Sequence, residues 1–526
     1  MNANVGNFFC NFKLQNDIVG IMEKSNKIFR TARLAAIDKY TIEHEPVSSL
    51  ELMERAARAW TGRFLSSFEK VSSVAVVAGN GNNGGDGYVI ARLLREKGME
   101  VAVFRLMPQE ELSADCRTNF MRWKDGGGVV NDIWTADELQ ICGEAVIVDA
   151  LFGSGLNRRV TGIAAAVIRR MNSLPNTVVA VDMPSGLMGE DNAGNDSESI
   201  VHADYTFTFQ FPKLSFMLAE NEAYVGRWSV VDIGLSDESI RQTPTDWYYT
   251  TGEVVRSLLP SPGRFDHKGI NGRGMLVAGH YGMMGAAVLA AKAALHSGIG
   301  LLFCHIPVKG LDIMQTSVPE SIPDLDQSEK FFSGIEAPEK YDAVAIGPAL
   351  GQGIEAMGGL RNLLRNYQGV TILDADALNL MGEHRELLKL LHGKCILTPH
   401  LKEFQRLAGK SENDFDRLNK LSNFAKSFGV HVVLKGANSV IATPEGQLHF
   451  NMSGNPGMAT GGTGDVLTGV LLALGANGLK CPDIARVGVF VHGLAGDLLM
   501  KEHGYRGITA GMIAENMGRA WKKLEN

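Results

Sequence analysis

Two glycine-rich runs hold the residue types best suited to chemistry. The first, Gly79-Asn80-Gly81-Asn82-Asn83-Gly84-Gly85-Asp86-Gly87, follows a short apolar run and precedes a helical pattern. In that position main-chain N–H groups and the helix dipole can hold a phosphate. The run lacks the spacing of the dinucleotide fingerprint, and a tight strand-to-helix turn without a ligand is the bland alternative. Two acidic residues end further apolar runs in the same half: Asp149, before Ala150-Leu151-Phe152-Gly153, and Asp182, before Met183-Pro184-Ser185-Gly186. Loops at the carboxyl ends of strands form the ligand crevice of open α/β sheets, so these three segments should converge. A single Asp in such a place is often only a turn residue. Asn83, Asp149 and Ser185 offer oxygen alone, which suits a hard cation rather than zinc.

The second run is Asn455-Pro456-Gly457-Met458-Ala459-Thr460-Gly461-Gly462-Thr463-Gly464-Asp465, ahead of an apolar helical stretch at 466–474. Its glycines let the backbone fold into an anion nest at a helix start, where charge on a transferring phosphoryl group is stabilised. Asp465 then either caps the helix or accepts a hydroxyl proton as phosphate moves. Asp374 and Asp376 either end a strand or support a magnesium–nucleotide complex.

The elements that position these runs are α/β in both halves. Val-rich runs at 74–78, 100–104, 145–148 and 178–181 lack polar alternation, as strands of a parallel sheet covered on both faces do. A helical pattern at 88–97 joins the first two, and 48–64 reads as a helix capped by Ser48 or Ser49. Residues 236–262, with three prolines and no long apolar run, read as a linker. Strands then follow at 275–278, 301–304, 343–346, 370–373, 395–397 and 432–434, with an Ala-rich helix at 286–296 and a hairpin over 439–450. There is no internal repeat.

At 526 residues the chain is long enough for two domains. A net charge of -7 argues against a nucleic-acid surface or a polybasic membrane patch. The six cysteines lack metal-ligand spacing and imply no disulfide framework. With no secretory signal and no bilayer-length apolar run, a cytoplasmic protein is expected. Residues 1–21 fit no pattern, and Met22 offers an alternative start. The 60 glycines are about 11% of the chain, against a usual share of about 7%, and their clustering points to backbone close to ligands.

The Asn-Asn-Gly-Gly-Asp-Gly loop, with the Asp149 and Asp182 segments, resembles the NAD(P)H-hydrate epimerase family, and Met183 stands where that family often has Ile. The resemblance implies a Rossmann-like three-layer αβα domain over residues 22–240. It implies substrate contacts from Asn82, Asn83, Gly84, Gly85, Asp86, Gly153, Ser154, Gly155, Leu156, Asn157, Arg158, Arg159, Asp182 and Lys213, with Asp182 catalytic. It further implies a potassium ion on Asn83, Asp149 and Ser185.

Gly461-Gly462-Thr463-Gly464-Asp465 is similar to the Gly-Ala-Gly-Asp signature of ribokinase-like folds. Together with His267-Lys268-Gly269, residues 347–351, residues 374–379 and Lys435-Gly436-Ala437-Asn438, it resembles the ADP-dependent NAD(P)H-hydrate dehydratases. That implies a ribokinase-like α/β domain over 246–526. Adenine nucleotide would lie on Lys435, Gly436, Ala437, Asn438, Ser439, Asn455, Gly457, Thr460, Gly461, Gly462, Thr463 and Gly464, with magnesium and ADP as co-substrate. Gly351, His400 and Asp465 would face the hydrated nicotinamide, Asp465 as base. His280, Met284, Leu401 and Lys402 depart from the family pattern near that pocket. The partners implied are the hydrates NADHX and NADPHX and the nucleotide, in a homo-oligomer with no nucleic acid and no membrane. The rival reading is a small-molecule kinase fused to a non-catalytic dinucleotide-binding module.

Overall fold

The computed structural model describes residues 26–107, 111–261 and 263–525, so the unpatterned residues 1–21 lie outside the described residues. The described chain divides into two compact units, the first ending at Thr245 and the second starting at Asp246.

The first unit is built on seven strands, β1 (Ser73–Ala78), β2 (Glu100–Leu106), β3 (Val130–Ile133), β4 (Val146–Ala150), β5 (Val178–Val181), β6 (Tyr205–Phe209) and β7 (Arg227–Val231). They pair in the order β3-β2-β1-β4-β5-β6-β7, all parallel. The Val-rich runs are buried because both faces are covered. Val74, Val76 and Val148 pack with Trp60 and Phe64, while Ala75, Val77 and Ile147 pack with Val167 and Ile168 on the other side. Strand order turns around between β1 and β4, which opens a crevice at their carboxyl ends. The helices include α1 (Thr31–His44), α2 (Ser49–Ser67), α3 (Asn82–Glu96) and α4 (Gly162–Ser173). Ser48 and Glu51 form a capping box at the start of α2.

Helix α3 begins at Asn82, six residues before the start its apolar periodicity suggests, so its glycines lie inside the first turns rather than in a loop. Close packing is the reason. A Cβ on Gly84 would sit 1.9 Å from the Gly79 carbonyl oxygen, and one on Gly87 would sit 2.7 Å from the Ala150 Cβ.

The boundary between the units falls inside the linker expected at 236–262, but that segment is structured. It contains a helix, Asp237–Gln242, then β8 (Trp247–Thr250) and α5 (Gly252–Leu258). These elements are too short to show periodicity, and β8 is recognisable only by its partner.

In the second unit β9 (Arg273–Val277), β10 (Leu301–Ile306), β11 (Ile322–Leu325), β12 (Ala343–Ile346), β13 (Val370–Leu373), β14 (Cys395–Leu397) and β15 (His431–Leu434) are followed by β16 (Val440–Ala442) and β17 (Leu448–Asn451). The order is β8-β17-β16-β15-β14-β13-β12-β9-β10-β11. Pairing is parallel from β11 to β15, and the expected hairpin β16–β17 is antiparallel. Its core includes the Ala-rich helix α6 (Met284–Leu295), α7 (Thr463–Ala476) and α8 (Cys481–His503). Small side chains on α6 and α7 allow a close approach: a Cβ on Gly469 would lie 2.0 Å from the Ala290 carbonyl oxygen.

Gly84→Ala sets two effects against each other. Alanine improves helix propensity by about 1 kcal/mol, but the Cβ meets a main-chain carbonyl that cannot rotate away, and overpacking of this kind costs about 1–3 kcal/mol. The variant should therefore lose stability in the first unit, read as an earlier urea midpoint. An unchanged or later midpoint would show that α3 is not pressed against Gly79.

Candidate functional sites

In the first unit the three strand-end segments do converge, around a cleft of about 650 Å³. Asn82, Asn83 and Asp86 reach it from α3, residues 153–158 from the loop after β4, Asp182 from the end of β5 and Lys213 from the turn after β6. Three of the expected substrate residues do not line it. Gly84 is packed on Gly79, Gly85 faces Met53 and Cys116, and the Arg159 side chain donates to the Gly194 carbonyl.

The centre is a buried ion pair. Lys213 Nζ donates to Asp182 Oδ1 at 2.5 Å and to Thr208 Oγ1 at 2.8 Å, and the Phe209 N–H donates to the same Asp182 oxygen at 3.0 Å. Lys213 is 2% exposed, so it is not the solvated surface charge that a lone lysine usually is. Burial by itself would raise the Asp182 carboxyl, but Lys213 and the donated hydrogen bonds bring it below its ordinary value. Asp182 has φ 64° and Gln210, also in the cleft, φ 55°. Strained strand-end residues of this kind persist where the surrounding structure holds them.

Asp149 and Ser185 do not line the cleft; both are fully buried behind the loop after β4, where the Phe152 N–H donates to Ser185 Oγ at 2.8 Å. The Ser185 hydroxyl donates to Asp149 Oδ1 at 2.5 Å and the Ser185 N–H to Oδ2 at 2.7 Å. Burial pushes the Asp149 carboxyl up to about 6 against those bonds. Asn83 reaches the same loop from α3: a Cβ on Gly153 would sit 3.1 Å from Asn83 Oδ1.

The sequence reading missed the wall formed by α1, where Thr31, Leu34, Ala35 and Asp38 line the cleft. Their i, i+3, i+4, i+7 spacing was the available signal. Asp86 is raised well above its ordinary value, by burial and then by Asp182 and Asp38, and burial pushes Asp38 up to about 6.

In the second unit α7 starts at Thr463 from Gly462, φ 92°, which places Asp465 in its first turn. The nest, Lys435 and Asp374 meet there: a Cβ on Gly464 would lie 3.5 Å from Lys435 Nζ and 3.9 Å from Asp374 Oδ2. Lys435 Nζ donates to Asp374 Oδ1 at 2.7 Å, and the Thr468 hydroxyl to Oδ2 at 2.7 Å. Asp465 accordingly sits beside a buried carboxylate. Burial, and then the Asp374 charge, push its carboxyl up to about 6 while Lys435 opposes them. Lys435 itself is raised because Asp374 and Glu403 outweigh the burial that would lower it.

His400 is placed by the fold as a cap. Its Nδ1 accepts from the Lys402 and Glu403 N–H groups at 3.1 and 3.3 Å, and Glu403 accepts from the His400 N–H at 2.8 Å. The Lys435 N–H donates to the Pro399 carbonyl at 2.9 Å, so the His400 and Lys435 segments run side by side. Gly351, φ 88°, donates to Asp376 Oδ2 at 2.9 Å. The Gly436 N–H donates to Ser439 Oγ at 3.2 Å, which closes the turn holding Ala437 and Asn438. Asn455 donates to Asp497 at 2.9 Å and accepts from the Gly457 N–H at 3.0 Å. The Thr463 hydroxyl donates to the Thr460 carbonyl at 3.0 Å. Asp497 was missed in the sequence because a lone helical Asp carries no signal. The departures have structural roles: His280 Nδ1 lies 2.8 Å from the Ala349 carbonyl, and Met284 is buried against Gly279 and Gly310.

A switch-point cleft lined by amide, carboxylate and glycine, and a largely parallel second sheet with an acidic nest at a helix start, define a two-part α/β protein whose sites suit small molecules. Residues 275–519 match the family model described as NAD(P)H-hydrate dehydratase, and residues 49–215 the one described as YjeF-related protein N-terminus. A bifunctional NAD(P)H-hydrate repair enzyme of Moorella thermoacetica is 34% identical over 516 residues, covering 94% of this chain and 96% of the relative. The Escherichia coli enzyme of the same description is 33% identical, covering 88% and 87%. A Bacillus subtilis ADP/ATP-dependent NAD(P)H-hydrate dehydratase, crystallised with ATP and magnesium, is 31% identical with a TM-score of 0.48, covering 52% of this chain and 98% of that one. The chain belongs to the bifunctional NAD(P)H-hydrate repair enzyme family.

Lys213→Met strips Asp182 of its counter-charge. Leaving one member of a buried pair alone costs about 3–5 kcal/mol, so the first unit should unfold at lower urea at neutral pH. The Asp182 carboxyl lies below its ordinary 3.8. Its contribution is therefore complete above that value and is lost as pH falls through the lowered folded value. Wild type and variant should converge in strong acid, and equal midpoints at neutral pH would deny the pair any role in stability.

Proposed function

We propose that residues 22–240 epimerise hydrated NADH and NADPH at C6, and that residues 246–526 dehydrate the S hydrate back to the reduced dinucleotide with ADP as phosphoryl donor. The observation that carries this is the pairing, in a chain of this family, of an Asp182–Lys213 cleft with an Asp465 nest.

Hydroxide is a poor leaving group, and phosphorylation converts it into a good one. Asp465, raised toward the working pH by burial and Asp374, accepts the hydroxyl proton as the oxygen takes the phosphoryl group. Lys435 and the nest N–H groups face the transferring phosphate. Phosphate then departs as the ring nitrogen's lone pair forms an N1–C6 double bond, and loss of a C5 proton to water lets the C5–H electron pair form the C5–C6 double bond while the N1–C6 pair returns to nitrogen. Asp374 and Asp376 already accept from Lys435, Thr468, Gly351 and Gln352, and among the described residues no group of three His, Cys, Asp or Glu side chains is placed to hold a metal ion. These residues suit magnesium that arrives on the nucleotide's own phosphates, where it would neutralise their charge.

Potassium fits the first site. Asp149 is fully buried with no lysine or arginine against it among the described residues, and Asn83 and Ser185 bring further oxygens. A potassium ion there would supply the missing positive charge beside the substrate. Asn82, residues 153–158 and Asp182 then hold the hydrated nicotinamide. The compartment expected is the cytoplasm; no described helix is long and apolar enough to cross a membrane.

Asp465→Asn keeps the side chain's size and capping capacity but removes the proton acceptor. Dehydration and phosphate release should fall by about 10²- to 10⁴-fold, with nucleotide affinity little changed and epimerisation untouched. Near wild-type turnover would make Asp465 a helix cap, and a stable phosphate ester as product would make the unit a kinase. For the ion, Asp149→Ala should abolish potassium dependence of epimerisation. Identical rates in both proteins, with and without potassium, would remove the ion from this site.

A further inference from the structure

The cleft of the first unit contains a carboxyl group that the reading above leaves idle. Asp38 lies on α1, whose Thr31, Leu34, Ala35 and Asp38 form one helical face toward the cleft. The helix is fixed at both ends. The Thr31 N–H donates to Glu190 Oε1 at 2.7 Å, and the Ser236 N–H donates to Thr41 Oγ1 at 3.0 Å. Ile37 and Thr41 on the same helix are fully buried. Asp38 is thus delivered by a rigid element, yet it caps nothing and pairs with no lysine or arginine side chain by direct contact among the described residues. The charged groups facing it are Asp182 and Lys213, from the ends of β5 and β6, and Asp86 from α3. A half-buried carboxyl beside two others gains nothing for stability: burial and the Asp182 charge both disfavour its ionised form.

Epimerisation at C6 moves a hydroxyl from one ring face to the other, so a proton must be handled on each face. We propose that Asp38 is the second proton-transfer residue of the epimerase, serving one ring face while the Asp182–Lys213 pair serves the other. This rests on the epimerase reading of the cleft. In the forward step the Asp38 carboxyl gives its proton to the C6 hydroxyl. The C–O bond breaks with its electron pair on the departing water, and the ring nitrogen's lone pair forms the N1–C6 double bond. The Asp182 carboxylate balances the positive ring. Water adds at C6 from the other face and gives its proton to the Asp182 side, and the N1–C6 pair returns to nitrogen. Composition is unchanged, and exchange with solvent resets the two carboxyls.

The test uses the full chain and a single separated hydrate epimer, with epimerisation followed chromatographically. Asp38→Asn should lower epimerase kcat by about 10²-fold or more with KM little changed, while nucleotide-dependent dehydration of the S hydrate, in the other unit, stays at the wild-type rate. Asp38→Glu, which keeps a carboxyl one methylene further out, should recover at least tenfold over the Asn variant. Epimerisation by Asp38→Asn within about twofold of wild type would overturn the proposal, and so would an Asn-like rate in the Glu variant, since α1 would then be only a wall. A wild-type chain that fails to epimerise either hydrate would instead overturn the epimerase reading itself.

Discussion

A carboxylate buried at the end of a parallel strand and bonded to one lysine is the interaction on which both halves of this protein depend. Asp182 with Lys213 plays that part in the first unit and Asp374 with Lys435 in the second, at 2.5 and 2.7 Å. A single lysine can support one carboxylate. Asp38 and Asp86 in the first site and Asp465 in the second are left to burial and to the charge of neighbouring carboxylates, so they rise. Asp38 reaches about 6 in one site and Asp465 about 6 in the other. The carboxyls of each cleft therefore stand in opposed environments.

Bringing those groups together requires backbone at distances that side chains forbid. Gly347, φ 136°, lies so near Asp374 that a Cβ would be 1.8 Å from its carbonyl oxygen, and Gly79 stands in the same relation to Leu151 at 2.1 Å. Asp182, Gln210, Ala349 and Ala375 add left-handed conformations at the rims of the two sites. Each such residue costs about 1–3 kcal/mol, so the strain is concentrated where the chain must turn sharply after a strand. Much of the glycine excess is thereby accounted for by contacts between backbone segments, with only part of it facing a ligand.

The sequence was most legible where strands are buried on both faces. The runs at 178–181, 343–346, 370–373 and 395–397 match their strands to the residue, because unbroken apolar runs leave no other place for those residues. It was least legible where an element depends on its neighbour: β8, β11 and the true start of α3 have too little periodicity of their own. Of the first site, the strand-end acids and the loop at 153–158 could be read, whereas Arg159 turned out to bond Gly194 and Asp38 went unnoticed. Asp38 stands on an exposed-looking helix far from any glycine loop, and only the fold carries it to the cleft. Conversely, only the family resemblance pointed to Lys213 and Lys435 in the sequence, and the fold shows which carboxylate each one bonds.

The central claim is that one chain salvages both hydrates by joining two chemistries. The most direct measurement supplies pure R hydrate with ADP and magnesium and follows the return of reduced-nicotinamide absorbance. Recovery should be complete and faster than the spontaneous interconversion of the hydrates. Recovery limited to that spontaneous rate, while pure S hydrate is restored promptly, would contradict the account by leaving the first unit without its epimerase.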